Sequence, residues 1–197
     1  MSELLHLFLS PYGVPMAITL VFLAGLADGL GTRTVVLLVN RITPFAFVAS
    51  LLLAALLYLL SAALWIWGIW FAATNFFGMM DALPHFFVSM SLAYVPYLLS
   101  VLVLLPLLGP LLRWLLRLAS FAIALWVLTL LGLALWQAAL CALFGELLLA
   151  GIGWLLGEPA MHLRARLWAA LTGKPRPQRS DELPLVIPGY TPDRGAA

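Results

Sequence analysis

Long runs of apolar residues, interrupted by very few charges, constrain this chain more than any other feature of its sequence. A helix needs about 20 apolar residues to cross a hydrocarbon core about 30 Å thick, and the sequence offers several stretches of that length. Residues of the set AVILMFWYC make up 64% of the 197 residues and charged residues only 9%, against about 25% charged residues in soluble domains. A soluble domain of this size would have too much apolar side chain to bury. We therefore predict an all-α polytopic membrane protein, a helical bundle.

Five membrane spans are predicted from the apolar runs and their helix-breaking boundaries. Pro44 is a favourable first residue for the second span, whereas Pro96 falls inside the third. The apolar stretch 111–157 would be about 70 Å long as one helix. Its weakest helical segment lies between Gly132 and Gln137, so we divide it there. The predicted transmembrane domain covers 14–157, with spans at 14–32, 44–73, 86–107, 111–131 and 137–157.

Four segments outside the spans have their own expected roles. Residues 1–13 are expected to form an interfacial N-terminal segment, without the charged n-region of a cleavable signal peptide. The segment 34–43 is too short to span and is expected to be interfacial or re-entrant. Residues 158–173 interleave apolar residues with arginines, a pattern typical of an amphipathic interfacial helix. Residues 174–197 are rich in proline and charge and are expected to be a flexible cytoplasmic tail.

The basic residues give the predicted orientation. They fall between spans one and two, at the start of span four and after span five: Arg33, Arg41, Arg113, Arg117, Arg164, Arg166, Lys174, Arg176, Arg179 and Arg194. The positive-inside rule then places the N-terminus outside and the C-terminus in the cytoplasm. We expect the protein in a bacterial inner (cytoplasmic) membrane or an internal membrane. Trp65, Trp67 and Trp70 are interpreted as an aromatic belt at the outer end of span two.

Three stretches of sequence carry a family resemblance. They are LLVNRITPFAFVASLLLAALLYLLSAALWIWGIW at 37–70, LAYVPYLLSVLVLLPLLG at 92–109 and LALWQAALCALFGELLLAGIG within 111–157. On these residues the chain resembles the bacterial, five-transmembrane branch of the Yip1 domain family, over roughly 14–160. The resemblance implies a compact five-helix membrane bundle. Eukaryotic members are adaptors of vesicle traffic, and for bacterial members the resemblance implies a fold more than an activity.

Glu146 is the most informative polar residue of the predicted spans. An ionised carboxylate near the membrane midplane is costly, so Glu146 should be protonated, paired or exposed to a wet cavity. Tyr58 and Tyr97 fall at a similar depth in spans two and three. The three residues would form a proton relay or a polar substrate site. The alternative is a protonated carboxyl group that hydrogen-bonds the kinked backbone near Pro96.

A second polar cluster is predicted at the inner face of the membrane. Asp28 lies four residues before Thr32, the predicted inner end of span one, which is about 6 Å along the helix axis. At that depth arginines on the same side of the membrane can reach it. The predicted cluster consists of Asp28, Arg33, Arg41, Arg113 and Arg117. We interpret it as a set of ion pairs, with the binding of an anionic lipid headgroup as the alternative.

Two surfaces are candidates for contacts with other helices or proteins. Gly25 and Gly29 form a GxxxG step, which allows close helix packing. We interpret this step as intramolecular packing, with the seam of a homodimer as the alternative. The tail offers a patch for docking a partner: Leu183, Pro184, Leu185, Val186, Ile187, Pro188 and Tyr190.

No pattern of catalytic, cofactor-binding or metal-ligating residues is visible. The sequence lacks GxSxG, HExxH and a Walker A lysine, and a net charge of +2 does not favour a nucleic-acid partner. We therefore expect a non-enzymatic membrane scaffold or accessory factor that acts through helix packing, lipid contact and its tail. Its expected partners are lipids and other membrane protein subunits. The alternative is a small transporter or channel that uses Glu146.

Overall fold

The computed structural model describes residues 13–39, 43–104 and 108–155, together with residues 166 and 169. Apart from short connections these residues are helical, and none of them lies in a β-strand, so the predicted all-α class is confirmed. The helices are α1 Gly13–Val39, α2 Pro44–Phe77, α3 Leu83–Ser91, α4 Gly109–Leu130 and α5 Leu135–Leu155, and a 3₁₀ helix Leu92–Leu104 continues directly from α3.

Within the described residues, five helical segments are long and apolar enough to cross a membrane, which is the number of spans predicted from the sequence. They are Gly13–Thr32, Pro44–Phe77, Leu83–Leu104, Gly109–Leu130 and Leu135–Leu155. Their outward faces carry large apolar side chains, among them Phe45, Leu60, Leu118 and Leu147. An apolar surface of this extent needs a nonaqueous environment. The fold is therefore that of a multi-pass membrane protein.

The ends of α2 follow from local chain chemistry. Thr43 is extended, and its side chain accepts a hydrogen bond from the backbone N–H of Ala46 at 3.4 Å, as an N-cap residue does. The helix ends at Gly78, whose left-handed φ of 68° suits a residue without a Cβ. Between these caps α2 has 34 residues, about 51 Å at the helical rise. It therefore reaches beyond the hydrocarbon core.

Residues 34–39 of the segment 34–43 continue α1 as one helix, so the re-entrant alternative is wrong for these residues. No glycine or proline interrupts the sequence between Thr34 and Val39. Residues 40–42 lie outside the described part of the chain. The part of α1 that is long and apolar enough to cross a membrane ends at Thr32, so Asp28 lies four residues before that end, as predicted.

The third span departs from the regular helix expected over 86–107. It is α-helical only to Ser91 and continues as 13 residues of 3₁₀ helix around Pro96. Proline removes one backbone donor and clashes with the preceding turn of an α-helix, which accounts for a change of helix type here. A 3₁₀ helix has three residues per turn, so Tyr94, Tyr97 and Ser100 lie along one side of it.

The core consists of small and branched residues with a few large side chains. The largest fully buried side chains are Val21, Ile66, Ile69, Phe86, Met90, Leu128 and Cys141. Glycines allow the helices to approach closely. A Cβ built on Gly25 of α1 would lie 2.9 Å from the Cβ of Tyr58, and one built on Gly31 would collide with the carbonyl oxygen of Ser100. Close packing therefore fixes α1 against α2 and against the 3₁₀ helix.

A tight turn joins α4 and α5 where the sequence predicted a break in the helix. Gly132 adopts a left-handed φ of 97°, and the side chain of Gln137 accepts a hydrogen bond from the backbone N–H of Ala134 at 2.9 Å. The two helices consequently run antiparallel and pack against each other. The predicted interfacial segment 1–13 before Gly13, the amphipathic helix 158–173 apart from Arg166 and Ala169, and the tail 174–197 lie outside the described residues.

Candidate functional site: a polar pocket inside the helix bundle

Polar side chains from every part of the bundle meet in one pocket of about 300 Å³. The polar and aromatic residues that line it are Asp28 of α1, Tyr58, Ser61 and Trp65 of α2, Tyr94 and Tyr97 of the 3₁₀ helix, Arg113, Arg117 and Ser120 of α4, and Glu146 of α5. Ala62 and Leu149 complete the lining. The pocket therefore contains side chains of both charges together with several hydroxyl groups.

An ion pair joins α4 to α5 at this pocket. Nη2 of Arg117 donates a hydrogen bond to Oε2 of Glu146 at 3.0 Å. Glu146 lies eleven residues after Leu135 and nine before Leu155, close to the middle of α5. Charge-assisted hydrogen bonds of this type are stronger than neutral ones, and pairing lowers the cost of two charges at such a depth. Glu146 is thus a paired acid.

The position of Glu146 depends on the residue before it. Gly145 packs against α2, where a Cβ added to it would lie 2.8 Å from Cγ1 of Ile69 and 3.1 Å from the carbonyl oxygen of Trp65. This close approach fixes α5 against α2 both in depth and in rotation. The carboxylate of Glu146 is therefore placed by backbone packing.

Four aromatic rings form a packed cluster along the pocket. Tyr58 meets Tyr94 and Tyr97 edge to face, with ring centroids 5.8 and 5.9 Å apart. Tyr94 also lies 6.1 Å from Tyr97 and 5.9 Å from Trp65. These distances are typical of favourable aromatic pairs. The 3₁₀ geometry contributes directly, because its threefold repeat turns Tyr94 and Tyr97 toward the same side.

One nearly buried residue of this cluster has a donor without an acceptor. Trp65 is 5% exposed, and its indole N–H has no hydrogen-bond acceptor within the described residues. Buried donors are normally paired with protein or with water. Tyr94 is 7% exposed and adds a hydroxyl group to the lining of the pocket. Trp65 lines the same pocket, so a bound molecule could supply the acceptor that its indole N–H lacks.

The structure brings together residues that the sequence assigned to two separate sites. Glu146, Tyr58 and Tyr97 line the same pocket as Asp28, Arg113 and Arg117. The two sets meet because Arg117 lies eight residues inside α4, deep enough to reach Glu146 of α5. The side chain of Arg33, the whole of Arg41 and the tail patch 183–190 lie outside the described residues.

Sequence reasoning missed two members of the pocket. Trp65 was assigned to an interfacial belt, but it is buried in the core. Tyr94 was noted only as part of a family motif. The i, i+3 spacing of Tyr94 and Tyr97 around Pro96 was the available signal, because proline favours a local change to threefold helix. The burial of Trp65 had no comparable signal, since its neighbours Trp67 and Trp70 follow the belt pattern.

The GxxxG step packs within the chain and borders a second pocket. Gly25 and Gly29 both face α2, near Tyr58 and Leu51 respectively. The second pocket, of about 280 Å³, is lined by Gly25, Gly29, Ala54 and Leu57 and shares Asp28, Tyr58 and Ser61 with the first. The polar pocket therefore continues into a groove between α1 and α2.

Comparison of the chain with models of protein families, with curated proteins and with solved structures finds no match. Within the described residues, no three side chains of His, Cys, Asp or Glu are grouped so that they could hold a metal ion. Fold and site together define a multi-pass helical membrane protein with a charged and hydroxyl-rich pocket inside its bundle.

Proposed function

We propose that the protein binds a polar or charged group of a ligand in this pocket, as the binding step of a small membrane transporter. The observation that carries the proposal is the convergence of the polar residues. Charged or hydroxyl side chains from α1, α2, the 3₁₀ helix, α4 and α5 line one pocket. Ionisable residues inside membrane spans are costly, and where they occur they commonly mark a path for a substrate or an ion.

The depth of the site supports a ligand-binding role. Arg117 lies eight residues after Gly109, about 12 Å into α4 at the helical rise. Glu146 lies close to the middle of α5. A purely apolar helix packing would avoid the cost of desolvating two charges here, whereas a binding site needs them. The indole N–H of Trp65, which has no acceptor among the described residues, is a further group that a ligand or water would satisfy.

A ligand can replace one partner of the Arg117–Glu146 ion pair. Arg117 and Glu146 are 62% and 38% exposed in their side chains, so neither group is sealed away from an arriving ligand. A polar ligand group that replaces one partner keeps the other from becoming an isolated charge. Release of the ligand restores the original pair. Tyr97 and Ser120, whose side chains interact with each other, add hydroxyl groups to the lining of the pocket.

The proposal is tested by binding in lipid nanodiscs and by movement across liposomes. The probes are four amphiphiles with the same fluorescent chain and with carboxylate, phosphate, trimethylammonium or hydroxyl head groups. We expect saturable binding of at least one probe, and its movement across liposomes that contain the protein. Ser61→Trp places a bulky ring at the pocket and should abolish both. Leu60→Trp is the matched control, because Leu60 is exposed and does not line the pocket. Equal behaviour of the two variants would overturn the proposal.

A non-enzymatic scaffold or accessory role, as in a Yip1-like protein, is the second candidate. The observation that favours it is the 3.0 Å pair itself, because Arg117 and Glu146 already compensate each other and tie α4 to α5. Under this proposal lipids, other membrane subunits and the tail beyond Lys174 are the functional contacts. Deletion of 175–197 would remove partner subunits from a mild-detergent purification. The pocket variants would leave those partners in place.

The orientation is also our proposal, with the N-terminus outside and the C-terminus in the cytoplasm of a bacterial inner or an internal membrane. An odd number of spans supports opposite locations for the two termini. The arginines at the first connection and the basic residues after α5 support a cytoplasmic C-terminus. Reporter fusions after residue 197 test it: activity of a cytoplasmic reporter is expected, and activity of a periplasmic reporter would reverse the orientation.

A further inference from the structure

We infer that the pocket binds an anionic oxyacid group, a carboxylate or a phosphate, at the end of an apolar chain. The inference rests on the proposed binding function and adds the charge and the shape of the ligand. It is carried by a cation without a carboxylate partner among the described residues, by a buried donor without an acceptor there, and by a groove that leads from the polar pocket to the apolar outer surface.

Arg113 supplies the cation. It lies one turn before Arg117 on α4, and residues four apart share a face of an α-helix. Both arginines line the pocket. Arg117 has Glu146 as its partner, whereas no carboxylate of a described residue lies within ion-pair distance of Arg113. A guanidinium group presents planar donors that match a carboxylate or a phosphate in a bidentate manner.

The unpaired donor of Trp65 adds to the same preference. The indole N–H of tryptophan can only donate a hydrogen bond. Trp65 is more than nine-tenths buried and lines the pocket, and its N–H has no acceptor within the described residues. An oxyanion has several lone pairs and can accept from Arg113 and Trp65 through separate oxygen atoms. A cationic group would leave the indole N–H unsatisfied, which is unfavourable for a buried donor.

The aromatic cluster does not provide a cage for a cation. A cation needs space over the faces of several rings, within about 6 Å of each centroid. Here the rings of Tyr58, Tyr94 and Tyr97 pack against one another, with centroids 5.8 to 6.1 Å apart, and no space is left between them. The acids are also engaged, since Glu146 pairs with Arg117 and Asp28 has an interaction within the chain. The site therefore favours a negative group.

The second pocket is a groove between α1 and α2 that leads from the polar pocket to the outer surface. It shares Asp28, Tyr58 and Ser61 with the polar pocket and continues along Gly25, Gly29, Ala54 and Leu57. Leu57 is exposed at its edge, on the apolar outer surface of the bundle. An amphiphile can consequently enter sideways from the membrane, with its head group in the polar pocket and its chain leaving through the groove past Leu57.

The test uses the full chain in nanodiscs with uncharged lipid and the four fluorescent amphiphiles described above, together with free acetate and inorganic phosphate. We expect the carboxylate or phosphate amphiphile to bind at least 10-fold more tightly than the trimethylammonium and hydroxyl probes. Arg113→Gln should weaken that binding about 10-fold, while Arg113→Lys retains most of it. Arg166→Gln is the matched control, because Arg166 is exposed and does not line the pocket.

The outcomes separate this inference from the proposed function. Competition by acetate or phosphate alone, at the same affinity as the amphiphile, would show that the anionic group suffices and would overturn the role of the groove. Pocket-dependent binding of the trimethylammonium or hydroxyl probe, unaffected by Arg113→Gln, would overturn the inference and leave the binding function intact. Binding of no probe, with Ser61→Trp equal to Leu60→Trp, would overturn both. Thermal unfolding of each variant identifies any that fail to fold. If Arg113→Gln does not fold, the binding of the anionic amphiphile by Arg113→Lys tests the role of Arg113 instead: most of the binding should remain, and its loss would overturn that role.

Discussion

Gly68 of α2 packs directly against Gly145 of α5, where a Cβ added to Gly68 would lie 3.4 Å from the Cα of Gly145. The two helices meet through backbone at this point, one residue before Glu146. Small residues at such crossings are the usual means by which membrane helices pack closely, because they allow extensive van der Waals contact. The crossing therefore supports the α2–α5 interface and holds the acid of the pocket in place.

Gly145→Ala should destabilise the protein, because its methyl group would lie 2.8 Å from Cγ1 of Ile69 and 3.1 Å from a backbone oxygen. Overpacking of this type costs about 1–3 kcal/mol. The matched control is Gly151→Ala in the same helix, where nothing lies within 4 Å of the added Cβ. Its free energy of unfolding should equal or slightly exceed that of the wild type. Unfolding in mixed micelles measures both; equal values for the two variants would contradict the close crossing.

Removal of one partner of the Arg117–Glu146 pair should be more harmful than removal of both. Arg117→Leu or Glu146→Leu leaves a single charge within a membrane span; because both side chains are partly exposed at the pocket, we expect the free energy of unfolding to fall by about 1–2 kcal/mol, less than for a buried pair. The double variant leaves no isolated charge and should lie within about 1 kcal/mol of the wild type. A double-mutant cycle gives the coupling energy directly. Additive effects of the two single changes would show that the pair is not formed.

Gly25→Ala should be more destabilising than Gly29→Ala. The first added Cβ would lie 2.9 Å from the Cβ of Tyr58 and 3.1 Å from the Cα of Ala55, neither of which can move freely. The second would meet the end of the Leu51 side chain at 3.3 Å, which can rotate away. We expect a loss of about 1–3 kcal/mol for Gly25→Ala and less than about 1 kcal/mol for Gly29→Ala. Light scattering of both variants in detergent should give an unchanged mass; a loss of dimers would instead assign the step to a homodimer seam.

Trp65→Phe should reduce ligand binding with little loss of stability. The change removes an indole N–H that has no acceptor among the described residues, and this gain offsets much of the volume lost from the core. We expect the free energy of unfolding within about 1 kcal/mol of the wild type, and several-fold weaker binding of the anionic amphiphile. Trp67→Phe is the control, since Trp67 is partly exposed on the same helix and does not line the pocket. Unchanged binding by Trp65→Phe would remove Trp65 from the site.

The spans could be predicted from sequence because their signal is local. Length and apolar composition suffice to find a helix that can cross a membrane, and proline and glycine mark its ends. The boundary at Thr43 and Pro44 and the turn at Gly132 both follow from such local chemistry. The number of spans in the structure is accordingly the predicted one.

The composition of the pocket could not be predicted in the same way, because it depends on how the helices pack. Asp28 could be placed near the inner end of span one, but the sequence does not show that it shares a pocket with Glu146. The 3₁₀ helix that carries Tyr94 and Tyr97 has 13 residues, which is longer than such helices usually are, and tertiary contacts must support it. The sequence gives the depth of each residue in the membrane, so Glu146 could be grouped with Tyr58 and Tyr97. It does not show which helices are neighbours, so Arg117 could not be identified as the partner of Glu146.

The most direct test of the binding account is the charge-swapped variant Arg117→Glu/Glu146→Arg, measured with the anionic amphiphiles in nanodiscs. The swap keeps an ion pair between α4 and α5 but moves the positive charge away from Arg113. The account predicts a folded protein with nearly wild-type thermal stability and at least 10-fold weaker binding. Wild-type affinity in the swapped protein would contradict it and would leave the pair with a structural role alone.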